Sequence, residues 1–287
     1  MNFHARKPGH GLARWIDKLW ICEDYHPSHR LEFKLPDASL AWIMNLKEDR
    51  IRVYESNRMD RHRNLPGSII AGPQSSYCYL DTVCQESCMG IQFKPGGALP
   101  FLGNWIGTLK DVDMPLEDGL GRSSHVADLR ERLQETSVAE ERFQLIEQYL
   151  LRCLEKKMMV PQGHPAVAYA LQLFERFPAT APSIAEIADM ANLSPERFIR
   201  VFKEEVGLTP KNYGSIVRFQ LAFRRIRQER VNPSIDMALS SGYYDQSHMY
   251  REFHKYANMT PAELFRKQDI IENHVPLSNP DGIPQNG

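Results

Sequence analysis

Along the first third of the chain, apolar residues come in runs of four to six positions that end abruptly at turn chemistry. Residues 41–46, 51–54, 68–71, 77–80 and 90–93 each read as a strand, with Pro66-Gly67 and Gly72-Pro73 supplying breaks between them. Short strands at regular spacing predict a sandwich or small barrel. After Pro95-Gly96-Gly97 the apolar period lengthens to that of a helix over 98–105, 124–135 and 139–157, where Leu145, Tyr149 and Arg152-Cys153 fall at helical intervals. These helices are expected to pack on the strands.

Pro161-Gln162-Gly163-His164-Pro165 interrupts that pattern, a short apolar helix over 166–177 follows, and Pro178-Ala179-Thr180-Ala181-Pro182 interrupts again. The expected organisation is therefore a β-rich then helical unit over 1–160, a linker with a short helix over 161–182, a helical unit over 183–267 and a tail over 268–287. At 287 residues the chain is long enough for two units, each with a core of its own. The tail, with Asn279-Pro280-Asp281-Gly282, is expected to fray from His274.

Beyond the linker the sequence nearly repeats. Phe198-x-Arg200-x-Phe202-Lys203-x-x-x-Gly207-Leu208-Thr209-Pro210 returns 51 positions later as Met249-x-Arg251-x-Phe253-His254-x-x-x-Asn258-Met259-Thr260-Pro261. Upstream, 188–192 recurs as 238–242, so each copy predicts two helices around a tight break, a helix-turn-helix. Ser183 can cap a helix that turns Ile184, Ile187 and Ala188 inward; small Ala188, and Ala238 in the second copy, let the next helix cross closely. Asn192 and Gly242 stand where a left-handed backbone costs them least. Ser194-Pro195 starts one second helix sharply, and Asp245 caps the other.

On the first of these second helices Phe198, Val201 and Phe202 form the inward stripe; on the other, Met249 and Phe253 do. The outward faces offer candidates for reading bases: Glu196, Arg197, Ile199, Arg200, Gln246, Ser247, Tyr250 and Arg251. Arg donates two parallel hydrogen bonds to guanine and Gln does so to adenine, which makes Arg200, Arg251 and Gln246 the leading readers. Lys203, Lys211, His254 and Lys255 suit phosphate contacts. Between the copies, 211–230 predicts a helical spacer of about 30 Å, close to the roughly 34 Å between major-groove faces on one side of DNA.

These residues resemble the DNA-binding domain of the AraC/XylS family, through Leu193-Ser194, Arg200-x-Phe202-Lys203, Gly207-Leu208-Thr209-Pro210, Arg218-x-x-x-Ala222 and Gly242-Tyr243-Tyr244-Asp245-Gln246-Ser247-His248. Met249 stands where the family usually has Phe, Asn258 where it has Gly, and the segment 234–238 is one residue short. The front half resembles effector domains of that family through Leu35-Pro36-Asp37, Gly72-Pro73 and Phe93-Lys94-Pro95-Gly96-Gly97-Ala98. The resemblance implies an α+β chain: a cupin-like β domain with helices that binds a small molecule or dimerises, then an all-α domain of two helix-turn-helix units joined by a long helix. Double-stranded DNA, RNA polymerase, a small-molecule effector and a second copy of the chain are the implied partners.

Composition changes this picture little. The net charge of −1 does not announce a nucleic-acid partner, yet 180–267 holds thirteen Lys and Arg against ten Asp and Glu. Hydrophobic residues make up 42%, no stretch approaches the apolar length of a membrane span, and five cysteines in no framework spacing point to a reducing cytoplasm. Cys78, Cys84 and Cys88 offer a thiol sensor, a soft-metal site or, as the larger weight of the pattern has it, buried strand residues. Cys22-x-x-x-His26-x-x-His29 has donors for a metal but also reads as a turn. Residues 57–64 read as a basic hairpin tip that could draw an anionic effector, and Leu145, Tyr149 and Met158-Met159 as a core face or a dimer helix. No catalytic set is legible and no cofactor is expected. A transcription regulator is the leading expectation; a cupin-like or thiol-based enzyme or sensor fused to a DNA-binding module, and a helical module that binds protein, are the alternatives.

Overall fold

Each apolar run of the front half can turn one face into a core, and the computed structural model, which describes residues 1–54, 60–121, 124–156, 159–267 and 270–277, pairs these runs into two antiparallel sheets. The strands are β1 (Asn2–Arg6), β2 (Ile16–Glu23), β3 (Leu31–Lys34), β4 (Ala41–Asn45), β5 (Arg50–Tyr54), β6 (His62–Pro66), β7 (Ser68–Ala71), β8 (Cys78–Asp81), β9 (Cys88–Phe93), β10 (Asp113–Pro115) and β11 (His274–Pro276). One sheet has the order β1-β2-β9-β4-β7-β10, the other β11-β3-β8-β5-β6. All five expected strands form. The additional ones carry weaker signals: β1 is exposed at four of five positions, β6 is mostly polar, and β3 and β10 are only four and three residues long.

The helices are α1 (Leu99–Leu102), α2 (Leu116–Leu120), α3 (Val126–Glu135), α4 (Ala139–Glu155), α5 (Pro165–Arg176), α6 (Ile184–Met190), α7 (Pro195–Val206), α8 (Pro210–Arg227), α9 (Ile235–Ser240), α10 (Gln246–Ala257) and α11 (Pro261–Arg266). The fold is α+β. The helix expected over 98–105 is cut short at Gly103, whose positive φ ends α1 and opens a 3-10 turn over Gly103–Thr108. On α4, Tyr149 and its neighbours Ile146 and Leu150 are buried within the chain, so the stripe is a core face; Met158 lies outside the described residues.

One core per unit does not describe the packing. Trp42, Phe93 and Phe101 join Leu133, Ile146 and Leu150 in a core between the six-stranded sheet and α1, α3 and α4. Phe33, Leu35 and Tyr79 of the other sheet instead run into the cluster formed by Phe174, Phe202, Phe219 and Phe253 of the helices. The short helix of the linker, α5, is part of that cluster through Ala166, Val167, Ala170 and Phe174. The two units share apolar surface, which favours a fixed rather than a tethered arrangement.

Fraying from His274 is also corrected. Residues 274–276 pair antiparallel with Lys34, Phe33 and Glu32, Val275 is fully buried, and Leu35 N–H donates to the Asn273 carbonyl at 2.8 Å. The segment is pinned by Glu32, a buried carboxylate that accepts from the Tyr25 hydroxyl and contacts His29 Nε2 at 2.7 Å and His274 Nδ1 at 2.9 Å. Burial would raise the pKa of Glu32, but its contacts with His274, Tyr25 and His29 outweigh that and hold it at about 2. A carboxyl with a depressed folded-state pKa stabilises the fold above its unfolded value of about 4.3 and loses that contribution as pH falls toward the folded value. Melting temperature is therefore expected to drop between about pH 5 and pH 2, and to drop less steeply in Glu32→Gln, which should already melt lower at pH 7. Parallel acid melts of the two proteins check this; superimposable slopes would refute it.

Candidate nucleic-acid interface

Each copy of the repeat is built by caps and small residues at the expected places. Ser183 and Glu186 form a reciprocal capping box at the start of α6, Ala188 is fully buried at the crossing, and Asn192 takes φ 52° at the turn. Ser194 accepts from Arg197 N–H at 3.2 Å and Pro195 opens α7, whose Phe198, Phe202 and Val206 are buried. In the second copy Ser234 caps α9, so the segment with one residue fewer still begins a helix. Gly242 has φ 86°, and a Cβ there would lie 2.5 Å from the Ala179 Cα, so the turn excludes any side chain. Asp245 then caps α10 by accepting from His248 N–H at 2.6 Å, with Met249 and Phe253 inside. Gly207 and Asn258 end α7 and α10 in the same left-handed conformation.

The outward residues separate into two classes. Glu196, Arg197, Arg200, Lys203, Lys211, Ser247, Arg251, His254 and Lys255 are exposed, whereas Ile199, Gln246 and Tyr250 are half-buried, Tyr250 against the core. Among the described residues, Arg197, Arg200, Lys203, Lys211 and Arg251 have no side-chain hydrogen bond or ion pair. Lys255 is partly engaged, its ammonium 4.6 Å from the centre of the Tyr256 ring. The far end of α7 abuts the linker and the front half: Glu205 accepts from His164 N–H at 2.7 Å, and Gly207 sits against Pro73 and the Ile106 carbonyl. Glu196, Arg197 and Arg200, toward its near end, stay exposed.

Helix α8 joins the copies. Its 18 residues span about 27 Å, and Tyr213, Ile216, Phe219, Ala222, Phe223 and Ile226 form its buried stripe. Gln220 leaves that stripe to donate to the Pro36 carbonyl at 2.7 Å, tying the spacer to the β domain. Sequence patterning alone misses the pair that seats α10 on this helix. Arg218 Nη2 donates to Glu252 Oε1 at 2.7 Å in a half-buried ion pair, and its guanidinium lies 5.2 Å from the Tyr243 ring centre. Glu252 is thereby taken, while Arg251 lies on another face of α10. Arg218 was visible in the spacer motif Arg218-x-x-x-Ala222, but its partner lies 34 positions away, beyond the reach of local spacing.

The profile of the helix-turn-helix domain family matches residues 187–267. A putative AraC-like transcription regulator of Streptomyces lividans is 33% identical over 107 residues, 37% of this chain and 34% of that protein. The chain carries an AraC-type helix-turn-helix domain. An uncharacterised helix-turn-helix-type transcriptional regulator of Haemophilus influenzae is 29% identical over 123 residues, covering 43% of this chain and 38% of the relative. The chain thus spans about a third of the length of the curated relatives it matches. Ahead of the AraC-type domain, residues 4–115 match a domain of unknown function, DUF6597. Among solved structures, the C-terminal domain of AraT from Geobacillus stearothermophilus is 22% identical, with 39% of this chain and 93% of that one covered at a TM-score of 0.35. ToxT from Vibrio cholerae O395 is 11% identical, with 92% and 95% covered at a TM-score of 0.41.

The remaining candidates are drawn into the β domain. Cys84 and Cys88 are buried, and burial pushes the Cys78 thiol up to about 12 and raises the other two. Neutral thiols are poor nucleophiles. His29 turns to Glu32 and His26 lies 3.5 Å from Glu86; among the described residues no three His, Cys, Asp or Glu side chains are placed to hold a metal. Of the basic stretch at 57–64, residues 57–59 lie outside the described residues, while Arg63 on β6 donates to the Asp113 carbonyl at 2.6 Å. No helix among the described residues is long and apolar enough to cross a membrane. Between the two sheets lies a cavity of about 590 Å³, roofed in part by residues 271–274.

Proposed function

We propose that the chain is a sequence-specific DNA-binding transcription regulator, acting by binding rather than catalysis, whose β domain takes a small-molecule effector. The observation that carries this reading is a pair of twelve-residue helices, α7 with Arg197 and Arg200 and α10 with Arg251, whose guanidinium groups are exposed and have no partner among the described residues, joined by a spacer of about 27 Å. Unpaired guanidinium groups on helices of this kind suit base edges in successive major grooves, and the exposed lysines nearby suit phosphates. Arg200, Arg251 and Gln246 are the proposed readers, with Glu196, Arg197, Ile199, Ser247 and Tyr250 around them; Lys203, Lys211, His254 and Lys255 position the domain. RNA polymerase and a second copy of the chain are the proposed protein partners, in keeping with the relatives' description as transcriptional regulators. The effector reading rests on the cavity between the sheets and on its roof, which belongs to the segment following the second helix-turn-helix.

Selection of bound duplexes from a random pool by the full chain tests the proposal. One family of sites of roughly 17–20 base pairs should emerge. Affinity for it should fall steeply between 50 and 200 mM salt, as counterion release requires. Recovery of sequences no different from the starting pool would overturn it.

A further inference from the structure

The charged side chains that line the cavity between the sheets are compensated within the chain. Lys18 pairs with Glu272 at 2.8 Å, Arg52 with Asp81 at 2.7 Å and His274 with Glu32 at 2.9 Å. Lys34 lies among Asp37, Asp113 and Glu272, and Arg63 shares Asp113 with it. Asp111 accepts from the Ser75 amide and hydroxyl and lies 3.5 Å from Lys110. An ion brought into this cavity would give up its water without meeting a free counter-charge, which disfavours charged ligands of either sign.

What the walls offer instead is flat and apolar. Across the larger sheet Trp20 on β2 stands opposite Gly90 on β9, Gly90 opposite Ile43 on β4, and Ile43 opposite Ile69 on β7. A Cβ at Gly90 would lie 2.1 Å from Cε2 and 2.4 Å from Nε1 of Trp20, so the indole lies against the bare backbone of β9 and any side chain there would push it off. The Phe3 ring, 42% exposed, is 6.4 Å from the Trp20 ring at 24° to it, and both residues line the cavity, which gives it an aromatic rim open to water. On the smaller sheet Val53 and Leu80 stand opposite each other and face the same space. Gln92 follows Gly90 by two positions on the same face of β9, about 7 Å along the strand, and its side-chain amide makes no hydrogen bond among the described residues. An amide offers a donor and an acceptor without charge. We propose that the cavity takes an uncharged aromatic ligand carrying a hydroxyl or carbonyl group, its flat face on Trp20, its polar group on Gln92 and its edges along Ile43, Ile69 and Val53. This deepens the effector reading above and rests on it.

Calorimetric titration of the full chain with probes built on one bicyclic body tests the assignment: 2-naphthol, naphthalene, 2-naphthoate, the 2-naphthylmethylammonium ion and decahydro-2-naphthol. 2-Naphthol is expected to bind about tenfold or more tighter than either ion, because neither ion finds a free counter-charge. It should bind about threefold to tenfold tighter than decahydro-2-naphthol, which keeps the hydroxyl and loses the flat face, and by a similar factor than naphthalene, which keeps the face and loses the hydroxyl. Trp20→Leu should erase the first of these two preferences and Gln92→Leu the second, with melting curves reporting whether each variant folds. Should Trp20→Leu not fold, the saturated probe on the unaltered chain and Gln92→Leu decide between them. Equal or tighter binding of an ion or of the saturated probe, no binding of 2-naphthol, or either preference surviving in its folded variant overturns the assignment. DNA affinity, measured on the same preparation, separates this from the regulator reading: a chain that holds its duplex and ignores 2-naphthol refutes the ligand class alone.

Discussion

Reversing charge at Arg200 and Arg251 together is expected to lower affinity for the selected duplex by about a thousandfold at moderate salt, with no loss of thermal stability. Each guanidinium that pairs two acceptors on a base contributes about 1–3 kcal/mol of discrimination, and a glutamate in its place adds repulsion from the phosphates. Single reversals should cost about tenfold to a hundredfold each. Stability should be unaffected because both side chains are exposed and without partners, so no internal contact is lost. Arg218→Glu is the instructive contrast, since Arg218 is bound to Glu252 between α8 and α10 and its loss would damage the fold first. Filter or fluorescence titration against the selected duplex, alongside melting curves, decides the matter. Full affinity in the double variant would remove the base-reading role and favour a helical module that binds protein.

The helical half was legible because its signals are local. Caps at Ser183, Ser194 and Asp245, left-handed turns at Asn192 and Gly242, and buried stripes through Phe198–Phe202 and Met249–Phe253 all act within a few residues of where they stand. Five strands of the β domain could be read for the same reason, from apolar runs bounded by turns. The others depend on pairing across the chain. β1 is mostly exposed and exists because β2 offers it an edge, and β11 exists because β3 does, more than 230 positions earlier. Such edges leave no period in the sequence, which is why the tail at His274 read as frayed. The charges of the cavity follow the same rule: Lys34 and Asp113 come together only once the two sheets are folded against each other. On α10 the exposure of Arg251 was readable, whereas the engagement of Glu252 by Arg218, 34 positions away, was not.

Replacing Phe219 by Ala is expected to destabilise the chain by about 3–5 kcal/mol, the range for deleting a buried aromatic. Phe219 is fully buried at the centre of α8, its ring centre 5.0 Å from that of Phe253, 5.1 Å from that of Tyr256 and 6.2 Å from that of Phe223. It is the apolar counterpart of the Arg218–Glu252 pair: both seat α10 on the spacer, one by packing and one by charge. Truncation would open a cavity at the joint that fixes the second reading helix relative to the first, and the surrounding rings belong to elements too firmly packed to collapse into it. A fall in melting temperature of about 10 °C is the expected result. DNA binding should weaken with it, because α10 loses its seat. Phe219→Leu, which keeps most of the volume, should lose less than half as much stability. A melting temperature unchanged in Phe219→Ala would mean that α8 and α10 are not held together as the ring geometry requires, and with it would go the rigid spacing on which recognition of two neighbouring grooves depends.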